Sequence, residues 1–222
     1  LHVGLIVQRW VVAGQPPMVQ LYELILGYSW LIVVVSLVVS VRSSVIWLRS
    51  LAAAIGALSL ASTSFMEDAV KPLVPALQSN WLTIHVATSF VAYAGLTVAF
   101  ILGVAFLAKQ ARKEESGRPK KLAEQYEPLV YKCILFSFPL LTVAIVTGAV
   151  WAKRAWGTYW SWDPKEVWSL ITWLIYAIYL HLRLRPGWRG KRAIFLNMAG
   201  FAAMLFTWFG VNYLLSGLHS YK

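Results

Sequence analysis

The stretch WGTYWSWDPKEVWSL, residues 156–170, sets four tryptophans beside Asp163, Lys165 and Glu166. Four histidines, His2, His85, His181 and His219, are spread along the rest of the chain, with a single cysteine, Cys133. These are the side chains that could do chemistry. An imidazole can bind a metal ion or carry a proton. An indole offers a broad apolar face to a flat ligand. A carboxylate can cap a helix or accept from a donor.

Asp163 precedes Pro164, and Glu166 follows three places after Asp163. Aspartate at N-cap, proline at the first helical position and glutamate at the third are a capping box. Such a cap contributes about 1 kcal/mol, and both acids suit the positive end of the helix dipole. That structural role and a binding role compete evenly for Asp163 and Glu166. Tryptophan also gathers at membrane interfaces, which would account for Trp168 and Trp173. Trp156, Trp160 and Trp162 precede the helix, with Trp151 upstream and Tyr159 among them. The spacing predicts that these three sit in a loop, where a belt residue is not required. A dense exposed indole cluster favours a flat apolar ligand or partner.

The histidines differ in depth. His85 lies near the start of one apolar run and His219 just past the last one. Both are expected on the same membrane face as the tryptophans. Two imidazoles flanking a flat aromatic surface would supply the two axial nitrogens of a six-coordinate haem iron. On spacing alone, two unrelated surface histidines explain the pair slightly better. His181 lies ~25 Å along its helix from Asp163, at 1.5 Å per residue. An ionisable group at that depth is a functional candidate. It competes with a snorkelling histidine beside Arg183 and Arg185. His2 could face the bundle and pair with His181, or have no role.

The elements that must position these groups are written in the composition. Of 222 residues, 59% are apolar and only 13% charged, and the mean hydropathy is +0.63. Those values belong to an integral-membrane protein. Long apolar runs, each near the ~20 residues that cross a bilayer, predict spans at 20–41, 46–66, 81–108, 129–151, 166–183 and 193–215, with a partial helix at 1–12. The expected fold is all-α: a polytopic transmembrane helix bundle of about six full spans plus an N-terminal partial helix, with an extracytoplasmic Trp-rich loop. One membrane domain is expected over 1–222.

The net charge of +11 does not point to nucleic acid, because the basic residues cluster between apolar runs as the positive-inside rule requires. Arg42 and Arg49, then Lys109, Arg112, Lys113, Arg118, Lys120 and Lys121, then Arg183, Arg185, Arg189, Lys191 and Arg192 fall on alternate turns. That side is taken as cytoplasmic. Segments 13–19, 67–80, 152–165 and 216–222 are then extracytoplasmic. Segment 67–80, with two prolines, is expected to be a surface loop or a short amphipathic helix. The chain opens on Leu-His without methionine, which suggests a missing or processed start, and no signal peptide is visible. One cysteine permits no internal disulfide, and without CxxCH the chain cannot carry a thioether-linked haem of its own.

WGTYWSWDPKEVWSLITWLIYAIYLH resembles the tryptophan-rich WWD signature of the haem-handling proteins of cytochrome c maturation, and is most similar to the CcsA/ResC type of the System II pathway. GVNYLLSGLHSY resembles that family's C-terminus and PALQSNWLTIHV its segment with the first external histidine. RWVVAGQPPMVQLYEL resembles its RW…GH.P…LYE motif. The likeness covers nearly the whole chain. Gly14-Gln15 departs from it, where relatives often have Gly-His.

The resemblance implies cytochrome c biogenesis: haem export across the membrane and presentation at the Trp-rich site. The ligand would be haem b. His85 and His219 match the external histidines, and His181 the histidine within the membrane. Trp156, Trp160, Trp162 and Asp163 belong to the binding surface. Lys153, Arg154 or Lys165 could meet a haem propionate. The chain would form the haem-presenting part of a holocytochrome c synthase, a lyase forming thioethers. Its implied partners are a separate CcsB/ResB-like membrane protein, membrane lipid and an apocytochrome c bearing CxxCH. The implied setting is the bacterial cytoplasmic membrane, with the thylakoid as alternative. Three other readings remain: a haem-delivery protein of CcmC/CcmF type without synthase role, a b-type electron-transfer subunit, and a structural membrane subunit. A b-type subunit would want paired histidines at one depth, whereas His85 and His181 are expected near opposite faces.

Overall fold

The computed structural model describes residues 1–43, 45–66, 73–116 and 125–215, with backbone only at 112–116 and 212–213. His219, Lys71, Arg118, Lys120, Lys121 and Lys222 lie outside the described residues.

The described residues form helices and no strand, in agreement with the expected all-α bundle. In chain order they are α1 (His2–Ala13), α2 (Leu21–Ser43), α3 (Trp47–Thr63), a short 3₁₀ turn at Pro75–Leu77, α4 (Asn80–Ser116), α5 (Tyr126–Trp156), α6 (Pro164–Arg183) and α7 (Lys191–Leu205). A π-helical turn, Phe206–Gly210, carries α7 into the short α8 (Val211–Leu214).

Among the described residues, four helices are long and apolar enough to cross a membrane: Leu21–Ser43, Asn80–Ala111, Tyr126–Trp156 and Lys191–Gly210. These correspond to four of the six full spans expected. Of the other two, α3 has only 17 residues. α6 has 20, but opens on Lys165 and Glu166 and ends on His181 and Arg183. The cluster at 109–113 is not in a loop: α4 runs on through Ser116, so Lys109, Arg112 and Lys113 ride on its last turns.

Local chemistry sets the helix ends. α1 stops at Gly14, whose φ of 65° suits glycine and whose N–H donates to Trp10 O at 2.9 Å. α5 stops in the same way at Gly157, φ 85°. Between α1 and α2, Glu23 collects the chain. Its Oε2 accepts from Val19 N and Gln20 N, both at 3.1 Å. Its Oε1 accepts from the buried Arg9 Nε at 3.0 Å.

α4 packs most extensively on α5, and α2, α6 and α7 close around this pair. Small residues allow the close approach that apolar packing in lipid requires. A Cβ at Gly200 of α7 would lie 2.7 Å from the Tyr176 ring of α6. Few polar bonds cross the interior. Tyr28 OH and Thr97 Oγ1 are 2.6 Å apart, and Asn197 Nδ2 donates to Ala99 O at 3.1 Å.

The bundle has two chemically distinct ends. At one, the Tyr126 hydroxyl accepts from Lys109 Nζ and, at 3.2 Å, from Trp47 Nε1. Beside it Arg183 pairs with Glu127 at 2.9 Å and covers the Tyr131 ring. The other end is built from indoles. Trp151 Nε1 donates to Ala76 O at 2.9 Å, the Arg154 guanidinium lies 5.8 Å from the centre of the Trp81 ring, and Trp168 packs on Phe206.

Candidate functional site

The indole-rich end is organised by one carboxylate. Asp163 is the N-cap of α6, its Oδ1 accepting from Lys165 N at 3.0 Å. Glu166 completes the expected capping box by accepting from Asp163 N at 3.1 Å. The same Oε2 reaches further back, to Ser161 N at 2.7 Å and Ser161 Oγ at 3.2 Å. Three donors on one oxygen fold the 160–163 turn onto the head of α6. Both acids are buried. Lys165 is pulled below the usual lysine range by burial, with the Asp163 carboxylate opposing the shift.

Ser161 lies between Trp160 and Trp162. Their rings meet edge to face at 5.9 Å. Trp162 holds a φ of 59° and is 70% exposed. Among the described residues it is the one non-glycine residue at positive φ, a conformation costly for a bulky side chain. The Glu166 clasp holds the backbone on either side of it. Trp156 departs from expectation. It is the last residue of α5 rather than a loop residue, half-buried with its ring 4.8 Å from Trp151. The exposed indole surface is therefore Trp162 backed by Trp160, with Tyr159 beside it.

His85 lies at this end, one and a half turns into α4, with its ring turned towards α5. Its Nδ1 is 2.7 Å from Ala144 O. A carbonyl can only accept, so Nδ1 carries the proton and the neutral ring has its lone pair on Nε2. That is the tautomer of a metal-ligating histidine held by a backbone carbonyl. The ring lies over Gly148, where a Cβ would come within 2.7 Å of Nδ1. Gly148 and the Ala144 carbonyl are site elements that reasoning from sequence missed. The available signal was an isolated glycine inside an apolar helix. One oriented imidazole, at the same end of the bundle as the exposed indoles, is a donor that could ligate an iron porphyrin on one side.

His2 adopts the opposite tautomer. Its Nε2 lies 3.3 Å from Ser29 Oγ and 3.2 Å from Ser59 Oγ. Both hydroxyls spend their protons on carbonyls, of Leu26 and Gly56, so Nε2 must donate to them. His2 faces the bundle, as one expectation had it, but it clasps α1 to α2 and α3 instead of meeting His181.

His181 is in the last turn of α6, at the basic end, far from His85. It is exposed, on the outward stripe that includes Leu174, Ile178 and Arg185. Trp173 turns the other way, donating to Thr142 Oγ1 of α5 at 2.9 Å. The structure thus places His85, Trp160, Trp162 and Asp163 at one end of the bundle, with Trp156 at the close of α5, and His181 at the other. Among the described residues no three His, Cys, Asp or Glu side chains converge as a metal site. Cys133 is buried.

A helical bundle with several spans long and apolar enough to cross a bilayer is the fold of a polytopic membrane protein. Residues 18–219 match the family model described as Cytochrome C assembly protein, and the chain belongs to that family. Among similar proteins, the cytochrome c biogenesis protein CcsA of Chlamydomonas reinhardtii is 40% identical over 232 residues, covering 100% of this chain. The chain spans 65% of that relative's length. The Guillardia theta CcsA is 38% identical, with 96% of this chain and 79% of the relative covered. The CcsA of Synechococcus sp. strain JA-3-3Ab is 36% identical, with 98% and 81% covered.

Proposed function

We propose that this chain works in cytochrome c biogenesis as a single membrane domain that moves haem across the bilayer and presents it at the indole-rich end. The observation that carries the reading is the His85 Nδ1–Ala144 O bond of 2.7 Å. It selects the tautomer whose Nε2 lone pair an iron would take, on the end of the bundle that carries Trp160 and Trp162. The family match and the names of the relatives support the cytochrome c biogenesis part of the reading.

In this reading haem b is substrate, not resident cofactor. His85 supplies one axial ligand and His219 the other. Trp162, Trp160 and Trp156 give the porphyrin an apolar wall, and Asp163 with Glu166 holds that wall in place. His181 meets haem on its way through the membrane. The acceptor is an apocytochrome c bearing CxxCH. Its histidine replaces one axial imidazole and brings two thiols beside the vinyl groups. Each S–H adds across a vinyl double bond: a sulfur–carbon bond forms, the hydrogen ends on the neighbouring carbon, and no net electrons are transferred. The chain contributes position and orientation, and no nucleophile of its own. A CcsB/ResB-like membrane protein is the expected partner. The basic end faces the cytoplasm of a bacterium, or the stroma if the membrane is a thylakoid, and the indole end faces away.

The test is a spectrum. The intact protein, purified in detergent and reduced, should display bis-imidazole haem bands. The double substitution His85→Ala with His219→Ala should abolish them and lower the yield of c-type cytochrome. Unchanged bands with unchanged yield would reject the assignment.

A further inference from the structure

A cavity of about 310 Å³ opens at the indole end, between the 75–80 turn and the last turn of α5. Arg154, Ser79, Asn80 and Gln78 supply its polar lining. Trp151 Nε1 fixes its floor by donating to Ala76 O, and Gln78 Nε2 holds its rim by donating to Leu73 O. Three features give it a sign. No carboxylate is among the described residues that line it. Arg154 has no ion-pairing acid among the described residues; its guanidinium is held over the Trp81 ring instead. Ser79 Oγ, shielded from solvent, has no hydrogen-bond partner. The head of α4, with no acid in its first turn, adds the positive end of a long helix dipole. Among the described residues, a polar lining with one cation and no carboxylate favours an anion.

Its position says which anion. His85 lies five residues below Asn80 on α4, a rise of ~7.5 Å, and Gly148, under the His85 ring, lies six residues below Arg154 on α5, ~9 Å. The cavity and the imidazole therefore share one interhelical seam, separated by a distance comparable to the reach from a haem iron to its propionate carboxylates. The other two candidate cations are engaged elsewhere. Lys153 Nζ donates to Gly157 O at 2.6 Å and lies over Tyr159, and Lys165 is buried against Asp163.

We infer that this cavity is a carboxylate subsite, with Arg154 as its charged donor, that binds a propionate of the porphyrin whose iron His85 ligates. The inference rests on the external haem site proposed above, and it fixes the in-plane rotation of the macrocycle. One carboxylate held on the α4–α5 seam orients the vinyl edge away from it, towards the side an incoming thiol must reach.

The experiment compares two ligands in the intact protein. Haem should bind about tenfold or more tighter than haem dimethyl ester, whose propionates carry no charge. Arg154→Gln should remove that preference and leave ester affinity unchanged, whereas Arg154→Lys should keep part of it. Equal weakening of both ligands by Arg154→Gln, or weakening of neither, overturns the subsite. If haem gives no bis-imidazole spectrum in the unsubstituted protein, the external-site reading fails separately. Protoporphyrin without iron, followed by its own fluorescence against its dimethyl ester, then decides the subsite. A preference that disappears with Arg154→Gln upholds it, and no preference overturns it.

Discussion

Glu166 Oε2 and Ser161 N, five residues apart, are joined by a bond of 2.7 Å. This is the bond by which a helix cap also holds the indole-bearing turn. Its acceptor also takes Asp163 N and Ser161 Oγ, so the turn carrying Trp160 and Trp162 cannot move independently of α6. Removing the carboxylate strands buried donors, which costs about 2–3 kcal/mol. Glu166→Ala should lower the melting temperature in detergent. It should also raise the accessibility of tryptophan to a soluble quencher and reduce bound haem. Glu166→Gln keeps an acceptor oxygen and should fall between the two. Quenching unchanged in Glu166→Ala would mean that the turn is held by something else.

Gly148 tests the histidine geometry. A methyl group there would meet His85 Nδ1 at 2.7 Å, so the ring must swing and the bond to Ala144 O must lengthen. Gly148→Ala should weaken or abolish the reduced haem bands. Gly200→Ala is the matched control: its Cβ strikes the Tyr176 ring at the same distance, away from the site. Both should lose about 1–3 kcal/mol through overpacking, and only Gly148→Ala should alter the spectrum relative to protein recovered. Equal spectral effects would remove His85 from the ligand set.

The legible part of this molecule was its punctuation. Asp163-Pro164 with Glu166 announced a capping box because a cap depends on residues three apart, and it formed as read. The positions of α2, α4, α5 and α7 were likewise readable from run length. The illegible part was orientation. α6 is distinctly amphipathic, but in a membrane bundle the outer face meets lipid rather than water, so amphipathicity alone does not say which stripe packs on the neighbouring helices. Thus His181 turned out to lie with Leu174 and Ile178 on the outer stripe. The partner of His85 was hidden for another reason. It is a backbone carbonyl 59 residues away, which has no sequence signature. The indole density around Trp156 masks the helix stop at Gly157, so the sequence places Trp156 in the loop although it closes α5.

The Arg9–Glu23 pair gives a third prediction. Both side chains are buried, and Glu23 also accepts from the backbone at Val19 and Gln20. Breaking a buried pair leaves one charge uncompensated, at a cost of about 3–5 kcal/mol. Glu23→Ala should therefore destabilise strongly. Arg9→Met together with Glu23→Ala should lose less than the sum of the single substitutions, with a coupling of about 1 kcal/mol or more in a double-mutant cycle. Simple additivity would show that the two side chains act independently.

A substitution at His181 tests the proposed transport step apart from the proposed presentation step. It is exposed on the outer face of α6 at the basic end, so its truncation removes little packing, and stability should change by no more than about 0.5 kcal/mol. If haem meets this imidazole before reaching the indole end, His181→Ala should lower the haem recovered at the external site in cells while leaving that site intact. Haem added from outside to the purified variant should then give the same bis-imidazole bands as the unsubstituted protein. Free imidazole in the growth medium, supplying the missing ligand, should restore part of the loss. A variant that accumulates normal external haem in cells would assign His181 to the lipid interface beside Arg183 and Arg185, where a snorkelling histidine needs no cargo.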